Sequence, residues 1–210
     1  MTPATIDKMF ARFAEQDPHP KTELYFINSY TLLVAVILSA QATDAGVNKV
    51  TKDLFQSIDT PQKMLTFGLE GLMRSIKTIG LYPSKAKNII KMSQLLVDHY
   101  GGKIPETRTE LESLPGVGRK TANVVLNVVF KEPTIPVDTH IFRVSNRLQL
   151  ACGKNPLEVE KNLERVIPEK FRVHAHHWLV LHGRYVCKAR KPLCPTCIIN
   201  DLCPYEPKTK

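Results

Sequence analysis

Leu114-Pro115-Gly116-Val117-Gly118-Arg119-Lys120-Thr121-Ala122 is the stretch on which the fold turns. Ahead of it, Thr107 and Glu110 have capping-box spacing before Leu111 and Leu114, so a helix starts there. Behind it, helical periodicity runs from about Arg119 to Phe130. A short link with one proline and two glycines between two helices makes a hairpin, at about residues 108–127. Gly116 and Gly118 permit a tight turn and remove side chains that would block a ligand. Successive backbone N–H groups can converge there on an anion, helped by the dipole of the second helix. The basic pair Arg119-Lys120 follows at once, which favours a phosphate-binding hairpin over a plain turn. A Walker A loop needs four residues between its first Gly and Gly-Lys, and a strand before it; neither is present. A dinucleotide fingerprint needs a third glycine where Thr121 stands.

The same periodicity extends outward in both directions. Ile6, Met9, Phe10 and Phe13 lie on one helical face, and so do Val47, Val50, Leu54 and Phe55. Residues 31–40 are apolar on all sides and read as a buried core helix, with a buried strand as the alternative. Thr60-Pro61 is a capped helix start. Leu81-Tyr82-Pro83 reads as a loop, and Ser84 as the cap of a long helix closed by Gly101-Gly102. Asp138 can cap a helix running to Leu148; Asn155-Pro156 opens another, which Pro168 ends. Residues 174–186 carry Trp178, Leu181 and Tyr185 on one face. No Asn-Gly hairpin signal and no clean period-two alternation occurs. The fold is predicted to be all-α.

With 210 residues and 43% hydrophobic content, the chain can bury one or two real cores, which excludes global disorder. Its longest apolar run, residues 32–38, falls far short of the ~20 residues that span a bilayer. The first ten residues lack the basic-then-apolar pattern of a secretory leader, so a soluble cytoplasmic protein without a membrane partner is expected. A net charge of +9 suggests a polyanionic partner. Residues 170–200 contain no Asp or Glu but hold Lys170, Arg172, Arg184, Lys188, Arg190 and Lys191.

Four of the five cysteines form Cys187-x6-Cys194-x2-Cys197-x5-Cys203. Four thiolates bind either tetrahedral zinc or an iron–sulfur cluster, and the spacing by itself leaves both open. His174, His176, His177 and His182 lack the i, i+4 spacing of a helical zinc pair and read as surface and packing residues. Cys152 has no nearby thiol and reads as inert. Lys120 stands in the first turn of its helix, where the positive end of the dipole disfavours an ammonium. A lysine forms Schiff bases only as the free amine. Taken alone, Lys120 reads as a phosphate contact or a solvated lysine, and Asp138 as no more than a helix cap.

Further segments widen the pattern: Ser39-Ala40-Gln41-Ala42-Thr43-Asp44, Thr78-Ile79-Gly80-Leu81-Tyr82, Val137-Asp138-Thr139-His140-Ile141-Phe142-Arg143 and His176-His177-Trp178. With the hairpin and the cysteine tail, they make the chain resemble the endonuclease III family from about Asp17 to Tyr205. These are bifunctional DNA glycosylases and abasic-site lyases of base excision repair. The resemblance implies a [4Fe-4S] cluster on Cys187, Cys194, Cys197 and Cys203. It implies that Lys120 attacks C1′ of the damaged nucleotide. Asp138 activates the amine, stabilises the sugar cation or shuttles protons. The Schiff base then permits β-elimination. The implied substrates are oxidised pyrimidines and abasic sites in duplex DNA. Gln41 and Leu81 would fill the gap left by the flipped base, and Gly116, Gly118 and Arg119 would hold phosphate. Arg184, Lys188, Arg190 and Lys191, in and beside the first cysteine loop, would add phosphate contacts.

The implied architecture has a six-helix domain at 22–132. A second, discontinuous domain at 1–21 plus 133–210 carries a cluster loop at 187–203. DNA would lie in the cleft that the two domains flank, with Lys120 and Asp138 on opposite walls. The resemblance also implies a monomer, nucleoid-associated if bacterial. Lys120 argues against the adenine glycosylase branch, whose members usually lack this lysine. Two non-catalytic readings, an iron–sulfur electron-transfer protein and a zinc-stabilised DNA-binding module, give Lys120 no special role.

Overall fold

The computed structural model describes residues 1–209. Among these residues there are helices and connecting turns but no strand, so the all-α expectation holds. The chain divides into two compact units: Glu23–Phe130, and Met1–Thr22 together with the chain from Lys131 onward. Among the described residues no helix is long and apolar enough to cross a membrane.

The unit at Glu23–Phe130 holds six of the helices. They are α2 (Ser29–Ser39), α3 (Asp44–Ser57), α4 (Pro61–Ser75), α5 (Tyr82–Tyr100), α6 (Arg108–Ser113) and α7 (Arg119–Phe130). The apolar run of α2 is buried on every side, from Tyr30 to Leu38. Val47, Phe55, Met64, Leu72, Ile89, Leu96, Leu111 and Val125 from the other five helices join it in one core. Each such side chain contributes roughly 1.5–3 kcal/mol when fully buried. Local signals set most helix starts: the hydroxyls of Thr43, Thr60 and Thr107 accept from the amides of Gly46, Lys63 and Glu110 at 3.2, 3.2 and 3.3 Å. Gly68, at φ +76°, kinks α4.

One expected start is wrong. α5 begins at Tyr82, not after Ser84, so Tyr82 and Pro83 belong to its first turn rather than to a loop. Proline is harmless there because first-turn amides have no intrahelical acceptor. Ser84 does not cap the helix; its Oγ donates to the Leu81 carbonyl at 3.0 Å. The residue before the helix is Leu81 itself, in the left-handed region at φ +59°.

The second unit holds α1 (Pro3–Gln16), α8 (Thr139–Arg147), α9 (Pro156–Val166) and α10 (Glu169–Leu181), followed by a π-turn at His182–Val186. Phe10 packs with Phe13, Phe171 and Trp178 at ring separations of 5.9, 5.7 and 6.2 Å. Trp178 donates its indole N–H to the Asp17 carbonyl at 2.8 Å, so it is a core residue. The π-turn breaks the face expected for residues 174–186. It shifts the helical register, leaving Tyr185 exposed while Trp178 is buried. His176, His177 and His182 are also buried rather than on the surface, so the expected surface role fails for them and the packing role remains.

Candidate functional site

The hairpin joins α6 to α7 through Leu114, Pro115, Gly116, Val117 and Gly118. The Val117 amide donates to the Leu114 carbonyl at 3.1 Å and closes the turn. Val117 is buried in the core and anchors it, while Gly116 and Gly118 on either side are exposed. The two glycines are needed for different reasons. Gly116 sits at φ +83°, and a Cβ there would come within 3.0 Å of the Asn88 Cβ. At Gly118 a Cβ would meet nothing within 4 Å, so no contact inside the chain demands glycine. Its carbonyl accepts from the Ala122 amide at 2.9 Å and opens α7. Lys120 follows in the first turn and is exposed; Arg119 is half-buried.

Asp138 lies in the other unit, at the start of α8. Its Oδ1 accepts from the Ile141 amide at 2.8 Å, so it is an N-cap. α8 is also the strut of the cysteine segment. Arg143 and Arg147, one helical turn apart, reach across to it. Arg143 donates to the Gly183 carbonyl at 2.7 Å and to the Cys187 carbonyl at 3.1 Å. Arg147 donates to the carbonyls of Lys188 at 2.6 Å and Ala189 at 2.9 Å, and to the Cys187 sulfur at 3.6 Å. Its guanidinium lies 4.8 Å from the centre of the Tyr205 ring. The close approach uses Gly183, where a Cβ would sit 2.9 Å from the His140 Cβ. Sequence reasoning gave neither arginine a role. Their i, i+4 spacing on the capped helix was the available signal.

All four expected cysteines line one recess, shared with Leu148, His182, Leu193 and Tyr205. Burial pushes the Cys197 and Cys203 thiols up, and the neighbouring cysteines add to this. Four thiolates crowded here need a cationic partner to compensate them. Among the described residues no three His, Cys, Asp or Glu side chains converge as a single metal ion requires. A four-thiolate set spread around a recess suits a multi-iron cluster. The stretch between Cys197 and Cys203 is itself tied down: Arg12 donates to the Ile198 carbonyl at 2.7 Å and pairs with Asp201 at 2.5 Å.

The basic zone divides on inspection. Lys170 pairs with Asp7 at 2.6 Å, and Arg172 donates to the Ile167 carbonyl at 2.9 Å. Arg184 is half-buried in the π-turn, while Lys188, Arg190 and Lys191 are exposed on the cysteine loop. Gln41 and Leu81 both stand at exposed turns of the Glu23–Phe130 unit, and both adopt positive φ, +56° and +59°. The two turns are neighbours, since a Cβ on Gly80 would lie 4.0 Å from the Gln41 carbonyl oxygen.

Comparison with known proteins fits this geometry. Residues 34–169 match the HhH-GPD superfamily base excision DNA repair protein family, and residues 187–203 match the iron–sulfur binding domain of endonuclease III. The chain is 57% identical to endonuclease III of Haemophilus influenzae over 203 residues, covering 97% of this chain and 96% of that one. It is 58% identical to endonuclease III of Escherichia coli K12 over 201 residues, covering 96% and 95%. A solved structure of a trapped endonuclease III–DNA covalent intermediate superposes with a TM-score of 0.88 at 47% identity, covering 97% and 96%. A thermostable thymine-DNA glycosylase shares the fold, with a TM-score of 0.82 at 24% identity. A helix-hairpin-helix, a four-cysteine cluster segment and near-full-length identity above one half leave one assignment. The chain belongs to the endonuclease III family, the [4Fe-4S] bifunctional DNA glycosylases and abasic-site lyases of the HhH-GPD superfamily.

Proposed function

We propose that this DNA glycosylase excises oxidised pyrimidines from damaged duplex DNA and cuts the resulting abasic strand through a Schiff base on Lys120. The observation that carries the reading is the pairing of Gly118 with Lys120. Gly118 leaves open backbone where no intramolecular contact requires it, and the exposed Lys120 amine follows within the first turn of α7. A DNA phosphate held on the hairpin amides fits that opening. The amine then stands beside the strand it is proposed to attack.

The chemistry follows in order. Extruding the damaged nucleotide takes a few kcal/mol of unstacking, less when the base stacks poorly. Leu81, an exposed apolar tip, suits a wedge in the emptied stack, and Gln41 suits hydrogen bonding to the orphaned base. The Lys120 Nζ lone pair attacks C1′, the glycosidic bond breaks, and the base leaves with a proton. Opening of the sugar ring gives an iminium between C1′ and Nζ. Loss of a C2′ proton then expels the 3′ phosphate, and water releases the lysine. Asp138 is the proposed proton carrier. Its Oδ1 is engaged by Ile141, and its Oδ2 meets no protein donor among the described residues.

The residues that would hold the cluster are Cys187, Cys194, Cys197 and Cys203. When bound, it supplies a cross-link for the loop that presents Lys188, Arg190 and Lys191 to DNA phosphates. Half-buried Arg184 and hairpin Arg119 would add to the same electrostatic footing. The enzyme is proposed to act as a monomer in the cytoplasm, at the nucleoid if the source is bacterial.

Borohydride trapping tests the reading. Wild-type protein should form a covalent adduct with abasic duplex DNA, and Lys120→Gln should form none. An adduct from Lys120→Gln at the wild-type rate would overturn the assignment. Duplexes carrying thymine glycol, mismatched adenine and 8-oxoguanine test the substrate class, with thymine glycol expected to be excised fastest.

A further inference from the structure

Lys85 is a lysine in an unusual place. It lies in the second turn of α5, only 5% exposed, and is absent from the chemistry above. Its ammonium donates to the Leu38 carbonyl at 2.9 Å and to the Ala40 carbonyl at 2.6 Å, and meets no carboxylate among the described residues. Burial pushes its pKa down, against the charged form. Buried lysines without an acidic partner are rare because desolvating an ammonium is expensive. A helix end needs no such device, since glycine or water can satisfy its last carbonyls.

The location of its bonds explains the choice. The Lys85 amide donates to the Leu81 carbonyl at 3.1 Å, and its side chain grips Ala40, the residue before Gln41. One residue therefore spans both turns that hold the proposed gap-filling side chains. Each turn is held in left-handed backbone that a non-glycine residue adopts only under constraint. The Gln41 turn is closed by the Ala42 amide on the Ser39 carbonyl at 3.0 Å, and the Leu81 turn by the Tyr82 amide on the Ile79 carbonyl at 3.2 Å. Neither of those local bonds connects one turn to the other. The Lys85 side chain does.

We infer that Lys85 is a positioning residue for base extrusion: its ammonium fixes the Gln41 turn relative to the Leu81 turn, so that the two side chains enter the vacated base position together. The inference rests on the gap-filling reading of Gln41 and Leu81.

Lys85→Met in the cluster-containing protein tests it, because methionine keeps the packing length and loses the donors. Strand cleavage is measured on an abasic duplex and on an abasic single strand, which has no partner base and no gap to fill. The expected result is a fall of about tenfold in the duplex rate, the scale of a sub-ångström misplacement, with the single-strand rate unchanged. Equal losses on both substrates would mark a merely structural lysine and overturn the inference, as would no loss on either. The triple variant Lys85→Met/Gln41→Ala/Leu81→Ala should be no slower on duplex than Gln41→Ala/Leu81→Ala; losses that multiply would overturn it too. If Leu81→Ala and Gln41→Ala both leave the ratio of duplex to single-strand rates unchanged, the gap-filling reading itself has failed, and this inference with it. If those two lower the ratio and Lys85→Met does not, only the role given to Lys85 is wrong. Should Lys85→Met not fold, Lys85→Gln retains a shorter donor and is expected to show the same substrate-dependent loss, smaller in size.

Discussion

Asp138 has two jobs that chemistry can separate. As an N-cap it needs an acceptor oxygen; as a proton carrier it needs an ionisable one. Asp138→Asn retains the bond to the Ile141 amide, so its stability should stay within about 0.5 kcal/mol of wild type, while strand cleavage falls about a hundredfold or more. Asp138→Ala should add a stability loss of about 1 kcal/mol. Thermal midpoints and single-turnover cleavage rates check both, and an Asn variant as active as wild type would limit Asp138 to capping. The two hairpin glycines make a similar pair. Gly116→Ala, forced to φ +83° and against Asn88, should destabilise by about 1–2 kcal/mol. Gly118→Ala, at the residue before α7, should cost only about 0.5 kcal/mol of stability and weaken duplex binding, as measured by titration at fixed salt. The glycines were legible as a turn between two helical runs and Asp138 as a cap before one, whereas the proton-carrying role proposed for Asp138 came only from the family resemblance. Lys85 was not legible, because a lysine is read as solvated unless the fold shows otherwise.

Where a threonine or asparagine marks a helix start, its identity fixed the start; where no side chain caps it, the sequence misled. Ser84 has the chemistry of a cap, yet α5 begins before it: Leu81 takes the N-cap place, its carbonyl accepting the first helical bond from the Lys85 amide, and Tyr82 and Pro83 fill the first turn. The π-turn at His182–Val186 likewise has no local signature, and it separated Tyr185 from the face that Trp178 keeps. The four cysteines were readable because ligand spacing is local, whereas the arginine clamp from α8 joins residues more than 35 positions apart. That clamp makes a prediction for the element. Arg147→Ala removes two bonds to the Lys188 and Ala189 carbonyls and the contact to the Cys187 sulfur. The variant should lose its visible iron–thiolate absorbance severalfold faster in air than wild type, with helix content unchanged by circular dichroism. Equal decay rates would show that the thiolate–iron bonds alone hold the loop.

On the scale of the molecule, the all-α fold was legible from periodicity throughout, but no change in composition marks the passage between units. The core of the unit formed by the chain ends also carries a pH signature. His177 is 9% exposed, and burial, with help from His174 and Lys131, pushes its pKa down from 6.5 to about 4. The unfolded chain therefore binds this proton at a higher pH than the folded one. The contribution is whole above pH 6.5 and is lost as pH falls towards 4. About 2 kcal/mol of stability has been lost at pH 5 relative to pH 7. His177→Asn should shrink the difference in thermal stability between pH 7 and pH 5 by that amount; an unchanged difference would mean that this imidazole is charged in the folded protein. The chain order has a further consequence. Ile6, Met9, Phe10 and Phe13 of α1 are buried against partners that begin at Ile135 and extend to Ile199. On a ribosome adding roughly 5–20 residues per second, α1 has emerged well before those partners have been synthesised. For several seconds the nascent amino-terminal helix must therefore present an unsheltered greasy stripe, a transient target for chaperones that vanishes when the last cysteine leaves the exit tunnel.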